Sequence, residues 1–436
     1  MIPKTGDLLS IHSSEENQAV GEAIRNGQPC VGESKACNER RYWIGLNKHC
    51  KHCDFGWTDF SPYDFQAFEP DGDIGLHECS YIDTYDQRHW WQDNSCYTKY
   101  RFICQLVPDG PGAELPNYEQ PPGGCDPGWW EYHGTCYRSF GSNLTGRPET
   151  HSNEIATQQQ AIAKCDSIGS QLAIFPNRYH NDFASAFVYS EGDSPWIGVQ
   201  SDTEQGLRYM WYDKRRLTYT NWQQGYPEQG TGKKCVKMWY FSSTAGGWDL
   251  GNWENRPCGE KRPFICSKNA NPNMPKGDSF YNPYNCPTGW IPHESSCFKL
   301  MTAPASFDQA QSNCQGFGDN NWAGNVMTVW NIYQQRLLNS FFNADEVAAM
   351  PPTTMWLGLK VKSSSEGTSL SWIDGMYDSY TNFALGEPSV KTEGACFLIS
   401  SKDQLGQWYA TMDCNSPKSY VCKLEQKSSL PDWSDG

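Results

Sequence analysis

No apolar run in this chain approaches the roughly 18 residues that a membrane-crossing helix needs, so no membrane span is expected in it. A basic face is also missing: 35 Lys and Arg stand against 50 Asp and Glu, a formal net charge of −15. Phosphate contacts require clustered cations, which excludes nucleic acid as a partner. The same charge is compatible with a bound cation or a basic partner. No charged-then-apolar leader precedes residue 20. No nucleophile stands beside a base at recognisable spacing, so an enzyme is not expected. What the chain does have is 19 Cys, 19 Trp and 23 Tyr. Such cysteine usage points to disulfides formed in an oxidising, extracellular setting, and an odd count leaves one thiol over. A length of 436 residues exceeds one ordinary core and points to about three domains.

Residues 1–106 open on G-D-L-L-S-I-H and run into Ser13-Ser14-Glu15-Glu16, a capping-box-like start to a helix carrying Val20 and Ile24. Trp43-Ile44-Gly45-Leu46 reads as a strand, and Cys79, Cys96 and Cys104 close the segment. Residues 107–124, with five prolines and four glycines, form an extended linker. Residues 125–268 repeat the scheme: Cys125 and Cys136, a helix over 154–168 with Ile155, Ile162 and Cys165 near one face, then Trp196-Ile197-Gly198-Val199. Cys235, Cys258 and Cys266 follow. After a second linker, 269–285, residues 286–424 present Cys286 and Cys297, a helix over 306–317 containing Cys314, and Trp356-Leu357-Gly358-Leu359. Cys396, Cys414 and Cys422 end that segment, and 425–436 is a polar tail.

The chain is thus a threefold array with a period of about 150 residues. Cys165 lies seven residues before Leu172, and the same offset from Leu9 falls on residue 2, which is not cysteine. On this arithmetic the first repeat lacks an opening hairpin and a partner for Cys104, and reads as N-terminally truncated.

The W-I-G-L core, the late Trp before a cysteine and the recurring cysteines resemble the C-type lectin domain over about 370 residues. Tandem copies look like mannose-receptor-type proteins or invertebrate multi-domain lectins. The resemblance implies an α+β fold with two helices, a short antiparallel sheet and a long loop region per domain. It implies the disulfides Cys79–Cys96, Cys125–Cys136, Cys165–Cys266, Cys235–Cys258, Cys286–Cys297, Cys314–Cys422 and Cys396–Cys414.

Sugar-binding members hold Ca²⁺ in the long loop with a Glu-Pro-Asn or Gln-Pro-Asp motif, a later Glu and an Asn-Asp pair. Ca²⁺ wants six to eight oxygens, of which vicinal sugar hydroxyls supply two. A cis proline between two ligands would turn both side chains to one side. Carried over, the first repeat offers Glu69, Asp71, Glu78, Gln92 and Asp93, with one extra residue between Pro70 and Cys79. Glu69, Asp71, Gln92 and Asp93 would also bond the sugar, with a lean towards mannose-type hydroxyls. The alternative for this loop is an acidic, solvated surface. The second repeat has Tyr226-Pro227-Glu228 and, where a Glu belongs, Lys233, whose ammonium would repel Ca²⁺. The third offers Glu387, Ser389 and Glu393, but counting back from Cys414 places Ala410 and Thr411 at the Asn-Asp positions.

Cys30, Cys37, Cys50 and Cys53 lack counterparts; zinc or redox chemistry is weighed against two extra disulfides, which are the blander choice, with pairing open. Asn143 heads a glycosylation sequon. Two functions are expected to compete: a Ca²⁺-dependent lectin, secreted or a membrane protein's ectodomain, binding carbohydrate or glycoprotein through the first repeat, or a Ca²⁺-independent protein-binding array.

Overall fold

The computed structural model of the protein describes residues 6–27, 40–48, 55–59, 61–69, 77–85, 88–106, 124–141, 154–187, 194–202, 208–228, 230, 232–239, 250–274, 285–293, 295–343, 353–364, 367–375, 380–384, 386–401 and 406–427. Three α+β units follow one another along the chain.

Domain 1 carries β1 (Gly6–Leu8), α1 (Ser14–Gly27), β2 (Arg41–Lys48), β3 (Phe55–Trp57), β4 (Cys79–Asp83), β5 (Trp91–Asn94), β6 (Arg101–Phe102) and β7 (Cys104–Leu106). Domain 2 carries β8 (Trp130–Tyr132), β9 (Thr135–Phe140), α2 (Gln158–Ser167), β10 (Gln171–Leu172), α3 (Arg178–Phe187), β11 (Trp196–Ser201), β12 (Tyr209–Trp211), β13 (Cys235–Met238), β14 (Trp253–Arg256) and β15 (Phe264–Asn269). Domain 3 carries β16 (Ile291–His293), β17 (Ser296–Ala305), α4 (Phe307–Gln315), β18 (Trp322–Val326), α5 (Ile332–Ser340), β19 (Thr354–Ser364), β20 (Gly367–Trp372), β21 (Cys396–Ser400), β22 (Gln407–Thr411) and β23 (Lys418–Gln426).

The sheets are mostly antiparallel, in the order β14-β13-β11-β15-β9-β8 in domain 2 and β16-β17-β23-β19-β21-β22 in domain 3. The closing strand runs parallel to the W-I-G strand, with Trp196 opposite Phe264 and Trp356 opposite Tyr420. In domains 2 and 3 that strand is buried along 196–199 and 355–359, with Trp196 and Trp356 wholly buried. Domain 1 has β3-β2-β4-β5 with β6 on β2, and β1 paired separately with β7.

The first helices are shorter than their sequence patterns suggest. Thr157 caps α2 in a capping box with Gln160, so Ile155 lies outside the helix, 53% exposed. The buried face is Gln158, Ala161 and Cys165; in α4, capped by Ser306, it is Phe307, Ala310 and Cys314. Both follow the i, i+3, i+7 spacing of one helical stripe. Each stripe ends in a cysteine buried against the closing strand, forming Cys165–Cys266 and Cys314–Cys422. Short bridges join Cys79–Cys96, Cys235–Cys258 and Cys396–Cys414 across the loop strands, and Cys125–Cys136 and Cys286–Cys297 at the opening hairpins. Cys104 is an exposed free thiol.

Domains 2 and 3 meet through α3 and α5. Asp182, with no exposed surface, accepts Asn339 Nδ2 at 3.1 Å and pairs with Arg336 at 3.2 Å and Arg178 at 3.4 Å. Arg336 Nε also donates to the Leu250 carbonyl, and Tyr132 donates to the Ser340 carbonyl at 2.7 Å.

Candidate functional site

A repeated device positions the long loop in every domain. The late tryptophan donates its indole N–H to an amide side chain on a helix: Trp91 to Asn17, Trp253 to Asn181 and Trp408 to Gln335, at 2.8, 2.8 and 2.9 Å. These helices, α1, α3 and α5, are therefore equivalent. The backbone of each tryptophan then bridges to an aromatic residue of the loop: Phe68 to Trp91, Trp222 to Trp253 and Phe383 to Trp408. A wholly buried indole with a satisfied N–H is a rigid anchor, so the loop leaves each domain at a defined point. Sequence reading noticed the tryptophans but not their helix partners, whose only signal was Asn, Asn and Gln at matching helix positions.

This register changes where the motifs fall. In domains 2 and 3 a cis X-Pro bond lies four and five residues beyond the anchor, at Tyr226-Pro227 and Glu387-Pro388. Glu69 directly follows Phe68, at the place of Gln223 and Ala384. Counted along the sequence from the anchor, the Glu69-Pro70-Asp71 triplet begins three residues ahead of the cis-proline triplets, while from Cys79 it is one residue out. A shorter loop accounts for two of those three residues, since 11 separate Phe68 from Cys79 and 13 separate the anchor from the cysteine in the other two domains; the third is the extra residue between Pro70 and Cys79.

In domain 1, Glu69 Oε2 accepts Gln92 Nε2 at 2.6 Å, and Gln92 Oε1 accepts the hydroxyl of Tyr81 across the β4–β5 pair. Burial pushes the Tyr81 phenol up to about 12, against the pull of Arg41, so it stays a hydrogen-bond donor at neutral pH. Asp93 follows Gln92 on β5, and its Oδ2 accepts the His77 N–H at 2.7 Å. Glu78 is exposed, and its backbone carbonyl holds Lys48 N–H at 2.8 Å. Asp71 lies outside the described residues, as do Cys30, Cys37, Cys50, Cys53 and Asn143. Among the described residues, no group of three or more His, Cys, Asp and Glu is arranged to hold a metal. Glu69 and Gln92 fit a hard cation as a carboxylate–amide pair, but they fall short of the six to eight oxygens that Ca²⁺ takes.

In domain 2, Lys233 forms an ion pair with Glu228. Asn255 accepts the Glu228 N–H at 2.8 Å and donates to the Glu228 and Lys233 carbonyls, closing the loop on itself. Glu254 is buried between Lys237 and Arg256. The loop's acceptors are therefore engaged by internal cations and amides.

In domain 3, Glu387 Oε2 accepts the Ser389 and Ala410 N–H groups at 2.8 and 3.0 Å, and Ser389 Oγ donates to its other oxygen. Glu393 is exposed. Strand register aligns Trp408 with Trp253, so Tyr409 and Ala410 occupy the Asn-Asp positions, correcting the count that gave Ala410 and Thr411. Six residues separate Trp408 from Cys414 where five separate the corresponding pairs; the extra residue lies in the turn after β22.

Comparison with known proteins agrees with this architecture. The Lectin C-type domain family matches residues 3–106, 154–268 and 303–424. Mouse C-type mannose receptor 2 is 25% identical over 437 residues, covering 96% of this chain and 27% of that protein. Human lymphocyte antigen 75 is 24% identical, covering 98% of this chain and 22% of its own length. The rabbit secretory phospholipase A2 receptor is 23% identical, covering 96% of this chain and 26% of that protein. This chain thus spans about a quarter of the length of the curated relatives it matches.

Proposed function

Because the chain belongs to the C-type lectin domain family, whose fold serves recognition rather than catalysis, we propose that it is an extracellular carbohydrate-binding lectin whose ligand face lies on domain 1. The observation that carries this reading is the Glu69–Gln92–Tyr81 relay. A carboxylate, an amide and a phenol stand in one chain of bonds at the loop, and sugar hydroxyls can exchange into such charge-assisted bonds. Domain 2 presents an internal Lys233–Glu228 pair at its loop, and domain 3 presents Ala410. The ligand is a carbohydrate or the glycan of a glycoprotein, met outside the cell by a secreted protein or an ectodomain. Seven disulfides among the described residues support an oxidising compartment.

Ca²⁺ would be held in domain 1 by Glu69, Asp71, Glu78, Gln92 and Asp93, and in domain 3 by the weaker set Glu387, Ser389 and Glu393. The bound ion would supply open coordination positions that sugar hydroxyls fill. Calorimetric titration of CaCl₂ into the full chain, followed by mannose, tests this mode. Saturable heat that Glu69→Gln lowers is the expected result. A null titration together with glycan-array binding unchanged in EDTA would remove Ca²⁺ while keeping the lectin. A second reading, a Ca²⁺-independent protein-binding array, is favoured by the self-closed loop of domain 2; it would be upheld by a protein partner retained in EDTA with no glycan bound.

A further inference from the structure

The loop face of domain 2 already has an occupant. We propose that domains 1 and 2 form a single rigid recognition unit in which segment 63–66 of domain 1 fills the loop face of domain 2, leaving that face closed to external ligands.

The segment joins domain 2 as an added strand would. Phe65 bridges antiparallel to Arg208 at the free edge of β12, and Tyr209 N–H donates to the Asp64 carbonyl at 3.1 Å. Tyr63 N–H donates to Thr220 Oγ1 at 2.9 Å. Gln66 Nε2 donates to the carbonyl of Pro227, in the cis-proline loop itself, at 2.7 Å. Strand addition to an open edge gains main-chain bonds, while side-chain pockets give it specificity. All four residues of the segment are at most 7% exposed, although they lie in a loop, where burial requires that the backbone polar groups find partners.

Trp222 gives independent support. It occupies the anchor position where domains 1 and 3 have Phe68 and Phe383. Its indole N–H donates to the Tyr63 carbonyl of domain 1 at 2.9 Å, a bond phenylalanine cannot make. The copy that carries a docked neighbour is the copy with the extra donor. Tyr63, Phe65, Tyr209 and Trp222 also share one apolar cluster, with Tyr209 edge-on to Trp222 at 4.8 Å. The docked segment runs directly into Phe68 and Glu69, so domain 2 supports the base of the domain 1 loop without itself meeting ligand.

The test uses the full chain with a protease site inserted within 107–124. Cleaved domain 1 should co-elute with domains 2 and 3 on size exclusion, and calorimetry should show domains 1 and 2 unfolding in one transition. Thr220→Val, isosteric and located in domain 2, and Gln66→Ala should each lower the midpoint of that shared transition by about 2–4 °C, and together should split it. Separation of cleaved wild-type domain 1, or independent melting of the two domains in the uncut chain, would overturn the proposal. Both readouts need no sugar or Ca²⁺, so failure of the lectin reading leaves them intact.

Discussion

Replacing Asp182 with alanine takes a carboxylate out from between two guanidinium groups. Asp182 is fully buried on α3, and its partners Arg336 and Arg178 expose 6% and 11% of their side chains. With the carboxylate gone, two like charges remain at a dry interface, and Asn339 loses its acceptor. Removing one partner of a buried pair typically costs about 3–5 kcal/mol, because the remaining charge is uncompensated. Arg336 still donates to the Leu250 carbonyl, which places the expectation nearer ~3 than ~5 kcal/mol. This energy belongs to the contact between domains 2 and 3, so guanidinium melts of the full chain should separate one unfolding transition into two. Limited proteolysis within 269–285 should accelerate in parallel. The triple variant Asp182→Leu with Arg336→Met and Arg178→Met should recover most of the loss, since apolar replacement of a whole buried ionic cluster is often neutral or better. A single Asp182→Ala variant within ~1 kcal/mol of wild type would show that the cluster does not hold the domains together.

His12 should make the stability of domain 1 pH-dependent through its pairing with Asp64. Burial alone would lower its pKa, but the hydrogen bond and charge of Asp64 at 2.7 Å, helped by Glu16 and Asp59, raise it above 6.5. A raised folded-state value gives stability that is full below the unfolded pKa and lost as pH climbs through the folded one. The difference in melting temperature between wild type and His12→Asn should therefore be larger at about pH 6 than at about pH 8.5; an equal difference would refute the pairing. The disulfides should differ in weight by loop length. Removing Cys165–Cys266, which spans 101 residues, should cost about 4–5 kcal/mol, against about 3 for Cys125–Cys136, which spans 11. Denaturant melts of the paired alanine variants would give the two values, and an inverted order would point to strain or residual unfolded structure.

The sequence by itself determined the threefold repeat, the α+β family and the odd cysteine, because these are written in local spacing. Cysteine intervals, the W-I-G strand and helix stripes survive as patterns within a few dozen residues. Tertiary structure decided the registers. The place of Glu69 depends on a bridge from Phe68 to Trp91, and that of Ala410 on an extra residue in a turn; neither follows from counting to the nearest cysteine. The helix partners of the late tryptophans, Asn17, Asn181 and Gln335, lie more than 70 residues away in sequence. The use of domain 2's loop as a seat for Tyr63–Gln66 joins segments about 160 residues apart. Such contacts arise when separately folded units close on one another, and no periodicity within either unit encodes them.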